Sequence, residues 1–236
     1  MSERFFSAVP PVAGRATLTG DEARHLTKVL RARVGDTVTL FDGAGRSWSA
    51  RITSIGRSEV ELEAGEVLKQ TVVQGPVVTL AVALPKGERQ KWLVEKLTEL
   101  GVARLVPLVT ERGVAEATPA AVERMQRGVI EACKQCGRDR LMEIGPPLTV
   151  AEIVATTPET CLGLVASPAA ESLDRLAWRQ AAEVIGLVGP EGGFTAAELA
   201  VAAAAGWPLV TLGPHVLRVE TAAVALAARV AGSLGQ

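Results

Sequence analysis

The sequence has no long apolar run and very little cysteine. Among its 236 residues no stretch reaches about eighteen uninterrupted apolar positions, so we do not expect a membrane span. The opening residues, MSERFFSAVPP, contain no apolar segment of the signal-peptide kind, so we expect no secretory signal there. Three cysteines, an odd number, give no disulfide framework and are typical of a reducing compartment. We therefore expect a cytoplasmic protein.

Two of the cysteines form a C-x-x-C pair, which raises the question of a metal or redox site. Cys133 and Cys136 supply only two metal ligands, and no second pair or His-x-His partner follows. The pair also lies inside a helical pattern. We therefore expect no metal and favour a structural role over a redox one.

Charge is distributed unevenly along the chain, although the formal net charge is only −1. Residues 24–57 contain seven basic and two acidic side chains, whereas residues 71–236 contain 15 basic and 17 acidic ones. Such a basic segment is either a solvated face or a surface that contacts a phosphate backbone.

The pattern of apolar residues divides the chain into two predicted domains. Residues 1–70 read as β-rich, with strands in VTLFD, WSARITSI and EVELEAGEVL, and form a small barrel-like module. One short helix lies in TGDEARHLTKVLRA, where Thr19 or Asp21 can cap it and Leu26, Val29 and Leu30 share one face. The segment KQTVVQGP reads as a linker, and residues 71–236 form the second domain.

In the second domain, apolar strands alternate with helices. The strands are predicted in VVTLAVAL, RLVPLVT, CLGLVA, VIGLVG and PLVTLG, and their apolar character indicates a mainly parallel sheet covered on both faces. Helices are predicted from Glu88 to Leu100, closed by Gly101, and from Pro119 to about Cys136, ended by Gly137. ETAAVALAARVAGSL is predicted to be a buried final helix. The fold class is therefore α/β.

The stretch LVGPEGGFTAAEL resembles a phosphate loop but lacks its lysine. Thr195 and Glu198 form a capping box, Phe194 and Leu199 are placed as a hydrophobic staple, and Gly206 ends the helix. The loop thus follows the carboxyl end of a parallel strand, where open α/β sheets bind ligands. Neither the Walker nor the dinucleotide pattern is present, and Glu191 would repel a phosphate. A neutral or cationic ligand, such as an adenosine bearing a sulfonium, fits better, although a tight strand–helix turn also explains the glycines.

A second loop leaves a strand in LVTLGPHVLRVETAA. It carries His215 and Arg218, and Glu220 follows at the start of the last helix. Arg218 and Glu220 are either a salt bridge at a helix start or catalytic residues, and the residues alone leave both interpretations open.

Seven stretches together resemble the RsmE family of 16S ribosomal RNA uridine N3-methyltransferases, in the SPOUT superfamily. They are RFF, HLTKVLRARVGD, LPKGERQKWLVEKLTELGV, PLVTERGV, IEACKQCGR, GPEGGF and LGPHVLRVETAA, in that order along nearly the whole chain. The resemblance implies a PUA-like RNA-binding β-barrel domain, followed by a SPOUT methyltransferase domain whose mainly parallel sheet carries a trefoil knot. It also implies a homodimer, ribosomal RNA as the partner, within the small subunit, and S-adenosylmethionine as methyl donor.

The reaction, the charge pattern and the resemblance each indicate residues of the site. Because they are adjacent to the cofactor loop, Arg218 is the candidate to stabilise negative charge on the uracil oxygens, and Glu220 the candidate to orient it or accept the proton. The expected RNA contacts are basic: Arg4, Arg24, Lys28, Arg31, Arg33, Lys86, Arg112 and Arg138. The expected cofactor pocket comprises Leu164, Val165, Gly189, Pro190, Glu191, Gly192, Gly193, Leu212, Gly213, Leu217, Arg218, Thr221 and Ala222.

His215 and Val219 depart from the family pattern, in which arginine or lysine, and threonine, are common at these positions. We interpret His215 as an ordinary exposed loop residue. The alternatives to uridine N3 methylation are another SPOUT reaction, such as ribose 2′-O-methylation of transfer RNA, and a non-catalytic RNA-binding ribosome-assembly factor.

Overall fold

The structure, a computed structural model, describes residues 3–71, 75–173 and 178–231. It divides into two compact units: residues 1–72 with 130–141, and residues 73–129 with 142–236. The sequence did not indicate that residues 130–141 belong with the first unit. The predicted domain boundary after residue 70 stays a prediction.

The first unit is built on a five-stranded sheet with the strand order β1-β3-β4-β5-β2. The alternation of buried and exposed residues in β5 is typical of a strand with one face on a core. Val60, Leu62 and Ala64 are buried, while the intervening glutamates face solvent. The β-rich first region and its short helix are therefore confirmed. The elements are β1 (Arg4–Phe6), β2 (Arg15–Thr19), α1 (Gly20–Arg24), β3 (Thr37–Phe41), β4 (Arg46–Ile55) and β5 (Glu59–Gln70).

The short helix differs from its prediction in two ways. Helix α1 runs into a π-helical turn at His25–Val29, in which the Leu30 amide donates to the His25 carbonyl over 3.1 Å. Leu26 is fully buried, but Val29 is 67% exposed and Leu30 is 36% exposed. The prediction that these three residues share one apolar face was therefore wrong. The wider π turn rotates the later residues away from the core. Thr19 occupies the N-cap position, but its side chain makes no capping hydrogen bond.

The second unit contains a seven-stranded sheet in which every described pairing is parallel, as the apolar strands predicted. The strand order is β12-β10-β11-β6-β7-β8, and β9 pairs with β7. The two short strands, β8 and β9, were not predicted. The strands are β6 (Val77–Val82), β7 (Arg104–Val109), β8 (Glu143–Ile144), β9 (Leu148–Thr149), β10 (Leu162–Ser172), β11 (Glu183–Val188) and β12 (Leu209–Thr211).

The helices begin and end close to their predicted positions. Gly101, Gly137 and Gly206 follow three of them with positive φ, as predicted. Part of the predicted linker, residues 72–74, and the last part of the predicted final helix, residues 232–236, lie outside the described residues. The helix at residues 150–156 was not predicted. The helices are α2 (Glu88–Glu99), α3 (Pro119–Cys136), α4 (Val150–Thr156), α5 (Ala196–Ala204) and α6 (Val219–Val230).

Helices cover both faces of this sheet. On one face, Ile153 of α4 and Ala202 of α5 share a core cluster with Val165 and Leu187 of the sheet. Trp207, which follows α5, belongs to the same cluster and packs so closely over Gly163 that a Cβ atom there would lie 2.0 Å from the indole ring. On the other, a Cβ atom at Gly186 would lie 2.5 Å from Cδ2 of Leu226 in α6. Coverage of both faces explains why the strands are nearly all apolar. Among the helices in the described ranges, none is both long and apolar enough to cross a membrane.

Candidate functional site

The glycine-rich loop directly follows β11. The Gly193 amide donates to the Pro190 carbonyl over 2.8 Å, and Gly193 has a φ of 69°, which closes the loop as a tight turn. Thr195 then caps α5: its Oγ1 accepts from the Glu198 amide at 3.3 Å, while Oε2 of Glu198 accepts from the Thr195 amide at 2.7 Å. The predicted capping box is confirmed, and it anchors the carboxyl side of the loop.

Gly189 starts this loop because a side chain there would collide with Phe194. A Cβ atom at Gly189 would lie 2.9 Å from Cε2 of the phenyl ring. Phe194 and Leu199 pack against the same core cluster, which supports their predicted roles as a staple.

The second loop follows β12 and leads into α6. Oγ1 of Thr211 donates to the Gly213 carbonyl over 2.9 Å, which turns the chain immediately after the strand. Arg218 is the exposed N-cap residue of α6, and its carbonyl accepts from the Ala222 amide at 2.8 Å. Val216 is 80% exposed, an unusual position for a valine. The two glycine loops thus emerge from β11 and β12, with β10 between those strands in the sheet.

A cavity of about 260 Å³ lies between these loops and residues 166–168, in the middle of β10. The cavity is lined by seven of the predicted cofactor residues: Gly189, Pro190, Glu191, Gly193, Leu212, Leu217 and Ala222. The sequence missed ten further lining residues: Ala166, Ser167, Pro168, Val188, Phe194, Leu199, Thr211, His215, Val216 and Val219.

Six predicted cofactor residues do not line this cavity. Leu164 and Val165 are fully buried within β10. Gly192, Gly213, Arg218 and Thr221 lie in the surrounding loops and the first turn of α6. Their assignment to the cofactor stays a prediction.

His215 is exposed, as expected, but it also lines the cavity. Interpreting it as an ordinary loop residue was therefore incomplete. The sequence could have indicated that His215 lines the cavity, because His215, like Leu212, follows the end of a strand by only a few residues.

Three charged side chains meet beside the cavity. Nη1 of Arg89, in the first turn of α2, lies 3.2 Å from Oε1 of Glu191 and 3.8 Å from Oε2 of Glu220. Glu220 is buried, and its Oε2 has no hydrogen-bond donor among the described residues. Within the described ranges no ion pair joins Arg218 to Glu220, so the salt bridge considered for that pair is not observed. The sequence did not single out Arg89.

A second arginine holds the glycine loop by its backbone. Nη1 of Arg112 donates to the Gly192 carbonyl over 2.7 Å, and the Glu111 amide donates to Oε1 of Glu198 over 3.0 Å. The residues after β7 therefore brace both the loop and the cap of α5. Arg112 had been predicted only as an RNA contact.

The other predicted RNA contacts differ in accessibility. Arg24 is exposed and pairs with Asp21 one turn away. Burial lowers the pKa of Arg138, which is half-buried in the first unit. The remaining four are exposed: Lys28, Arg31, Arg33 and Lys86.

Arg4 is the predicted RNA contact that the structure favours least. It forms an ion pair with Asp139, whose side chain is 1% exposed, and its guanidinium lies 5.1 Å from the centroid of the Phe41 ring. The charge of Arg4 is therefore neutralised inside the first unit, where it compensates the buried Asp139 carboxylate; Nζ of Lys69 lies farther away, 3.9 Å from Oδ2 of Asp139.

The C-x-x-C pair is split between the interior and the surface. Cys133 is buried and Cys136 is exposed, and both are free thiols. Burial raises the pKa of the Cys133 thiol to about 12, which keeps it neutral. Among the described residues no group of three potential metal ligands occurs.

Comparison with known proteins defines the class to which this fold and cavity belong. The family model described as RNA methyltransferase domain matches residues 74–231, and that described as RNA methyltransferase PUA domain matches residues 18–64. The protein is thus an RNA methyltransferase with a PUA-like domain in front.

More specific relatives identify the branch. The ribosomal RNA small subunit methyltransferase E of Synechocystis is 34% identical over 223 residues, which cover 92% of this chain and 73% of the relative. The chain belongs to the ribosomal RNA small subunit methyltransferase E family.

Two solved structures resemble this protein over almost their whole length. The Neisseria gonorrhoeae ribosomal RNA small subunit methyltransferase E, bound to S-adenosyl methionine, has a TM-score of 0.86 and 32% identity, covering 97% of this chain and 96% of that one. The Legionella pneumophila protein Lpg2936, in complex with the cofactor SAM, has a TM-score of 0.90 and 29% identity, covering 99% and 98%.

Proposed function

We propose that this protein transfers a methyl group from S-adenosylmethionine to N3 of a specific uridine in small-subunit (16S) ribosomal RNA. Family membership supports the reaction, and the Neisseria relative is bound to this cofactor. The observation that carries the proposal is the cavity at the strand ends, which a carboxylate lines and which no described lysine or arginine lines.

The residues of the cavity fit the proposed cofactor. Most of the lining is apolar, which suits a nucleoside, and Glu191 provides the carboxylate. Arg89 contributes one positive charge beside Glu191 and Glu220, so this cluster of three is net negative. A negative cluster favours a cationic sulfonium and disfavours a phosphate.

Backbone and apolar groups would hold this cofactor. Gly189, Glu191 and Gly193 would form one wall, and Leu212 and Leu217 the other. When bound, the sulfonium supplies the electrophilic methyl group. The residues of the chain must then bring the uridine into line and exclude competing water.

Arg218 and Glu220 are the proposed catalytic residues. Attack by N3 requires loss of its proton, so a cationic group near the uracil oxygens stabilises the developing anion. Arg218 is exposed at the start of α6 and has no ion-pair partner among the described residues, so its guanidinium is available for this role. Oε2 of Glu220 lacks a donor and can accept the N3 proton.

RNA recognition is proposed to use the exposed basic residues. Lys28, Arg31 and Arg33 form a cluster after α1 in the first unit, and Lys86 and Arg112 are exposed in the second. Contacts to phosphates position the RNA without reading its sequence. A target base that is stacked or paired must be splayed out to react.

The proposal also includes features that the family resemblance implies: a trefoil knot in the second unit, a homodimer and a cytoplasmic location.

Two experiments test the proposed function. N3-methyluridine is mapped in small-subunit ribosomal RNA from cells with and without the gene, and one site should lose its methyl group in the deletion strain. Purified protein with S-adenosylmethionine should restore that mark on RNA or subunits from the deletion strain. Persistence of every methylated site in the deletion strain would refute the proposal.

A further inference from the structure

Arg89 is held in a defined position at the start of α2. Gly87, the N-cap residue, has φ 66° and ψ −138°, a backbone conformation that side-chain-bearing residues rarely adopt. This turn begins the helix at Glu88 and places Arg89 in its first turn. Helices α2 and α6 pack against each other, which brings Arg89 beside the start of α6.

The guanidinium of Arg89 bridges two segments that surround the cavity. Its Nη1 bonds Oε1 of Glu191, in the glycine loop, at 3.2 Å. The same nitrogen lies 3.8 Å from Oε2 of Glu220, in the first turn of α6. Two carboxylates on different segments, one in the glycine loop and one in α6, therefore share one cation.

The two carboxylates depend on Arg89 to different degrees. The Glu191 side chain is 46% exposed, and an exposed pair of this kind adds little to folding stability. The Glu220 side chain is 8% exposed, and within the described ranges Arg89 is the cation found within 4.0 Å of it. A buried carboxylate without its counter-ion is strongly disfavoured. Loss of Arg89 would therefore displace Glu220 or admit water beside it.

We propose that Arg89 is a positioning residue that holds Glu191 and Glu220, and with them the glycine loop and the start of α6, in the arrangement required for methyl transfer. This inference rests on the proposed function for its catalytic part. Its structural part, the bracing of the two segments, holds for the protein without cofactor or RNA.

The test compares Arg89→Ala and Arg89→Lys with Lys91→Ala, an exposed cation two residues away on the same helix. In Arg89→Ala, kcat should fall about 10- to 100-fold, because small displacements of aligned groups have effects of this size. The KM for RNA should stay near that of the wild type, because Arg89 acts through the carboxylates. Arg89→Lys should recover part of kcat, since it keeps the charge but loses the forked donor.

Hydrogen exchange without cofactor gives a second readout. Amides in residues 189–193 and 219–222 should exchange faster in Arg89→Ala than in wild type, and Lys91→Ala should match wild type. If Arg89→Ala does not fold, Arg89→Gln, which keeps the carbon chain of the side chain as far as Cδ and is uncharged, replaces it with the same expected results.

The inference is overturned if the uncharged variant matches Lys91→Ala in both kcat and hydrogen exchange, or if Arg89→Lys has no more activity than that variant. An inactive wild type would contradict the proposed function instead, and hydrogen exchange would still decide whether Arg89 braces the two segments.

Discussion

Arg112 donates a hydrogen bond of 2.7 Å from Nη1 to the carbonyl oxygen of Gly192, 80 residues away in sequence. The exposed side chain of Arg112 covers Gly192 so closely that a Cβ atom there would lie 3.3 Å from Cδ of the arginine. A residue expected to contact RNA thus also holds the glycine loop. Binding of RNA and binding of the cofactor can therefore depend on the same side chain.

Replacement of Arg112 by alanine should weaken cofactor binding even without RNA. Loss of a hydrogen bond that contributes about 1 kcal/mol should raise the Kd for S-adenosylmethionine about fivefold. Calorimetry with RNA-free protein measures this, with Arg124→Ala, on the exposed side of α3, as control. An unchanged Kd would limit Arg112 to RNA contact.

Glu191→Gln should discriminate between a cationic and a neutral ligand. Removal of the carboxylate should weaken the binding of S-adenosylmethionine, which carries the sulfonium. The Kd should rise several-fold, because a partly exposed charge pair contributes about 1 kcal/mol. S-adenosylhomocysteine, which lacks that charge, should bind nearly as before. Equal losses for both ligands in calorimetry would argue against contact between Glu191 and the sulfonium.

Arg218→Ala should abolish turnover while leaving cofactor binding largely intact. Removal of a group that stabilises developing charge typically lowers kcat about 100- to 1000-fold. Single-turnover methylation assays and calorimetry on the same preparation separate the two effects. Wild-type activity in this variant would eliminate Arg218 as a catalytic residue.

The basic cluster of Lys28, Arg31 and Arg33 should control the salt dependence of RNA binding. If each contacts one phosphate, replacing all three with alanine should reduce the slope of log K against log salt by about 2 to 3. Filter-binding titrations from low to moderate salt measure the slope, and Arg124→Ala again serves as control. A slope equal to that of the wild type would identify the cluster as a solvated face.

Cys133 should resist alkylation in the folded protein, whereas exposed Cys136 should react. With the Cys133 pKa raised to about 12 by burial, about one thiol in ten thousand is ionised at pH 8. Mass spectrometry after brief iodoacetamide treatment should find the label on Cys136. Equal labelling of both would indicate that the end of α3 opens.

The same shift predicts a dependence of stability on pH. Because the folded state favours the neutral thiol, the contribution of Cys133 is fully present below its ordinary pKa of 9.0 and is lost as the pH rises toward 12. Urea unfolding of wild type and Cys133→Ser at pH 8 and pH 10.5 should show a larger pH-induced loss in the wild type. A wild-type loss no greater than that of Cys133→Ser would contradict this assignment.

Features determined by neighbouring residues could be predicted from sequence. The capping box of Thr195 and Glu198 involves a spacing of three residues, and Gly101 and Gly137 end their helices through local backbone geometry. The parallel strands could also be predicted from the sequence, because a strand covered on both faces must be apolar along its length. The π-helical turn at His25–Val29 was missed because helical periodicity assumes a regular α-helix.

The sequence by itself determined which elements form and that two glycine loops leave strand ends, because these properties arise from local propensity and burial. Only the tertiary structure decided what surrounds the loops. Arg89 and Glu191 are 102 residues apart, and nothing local to Arg89 specifies a partner. Likewise, Ala166, Ser167 and Pro168 join the cavity because β10 pairs with both β11 and β12. Long-range pairing of strands and packing of helices bring such residues together, and no short stretch of sequence encodes that proximity.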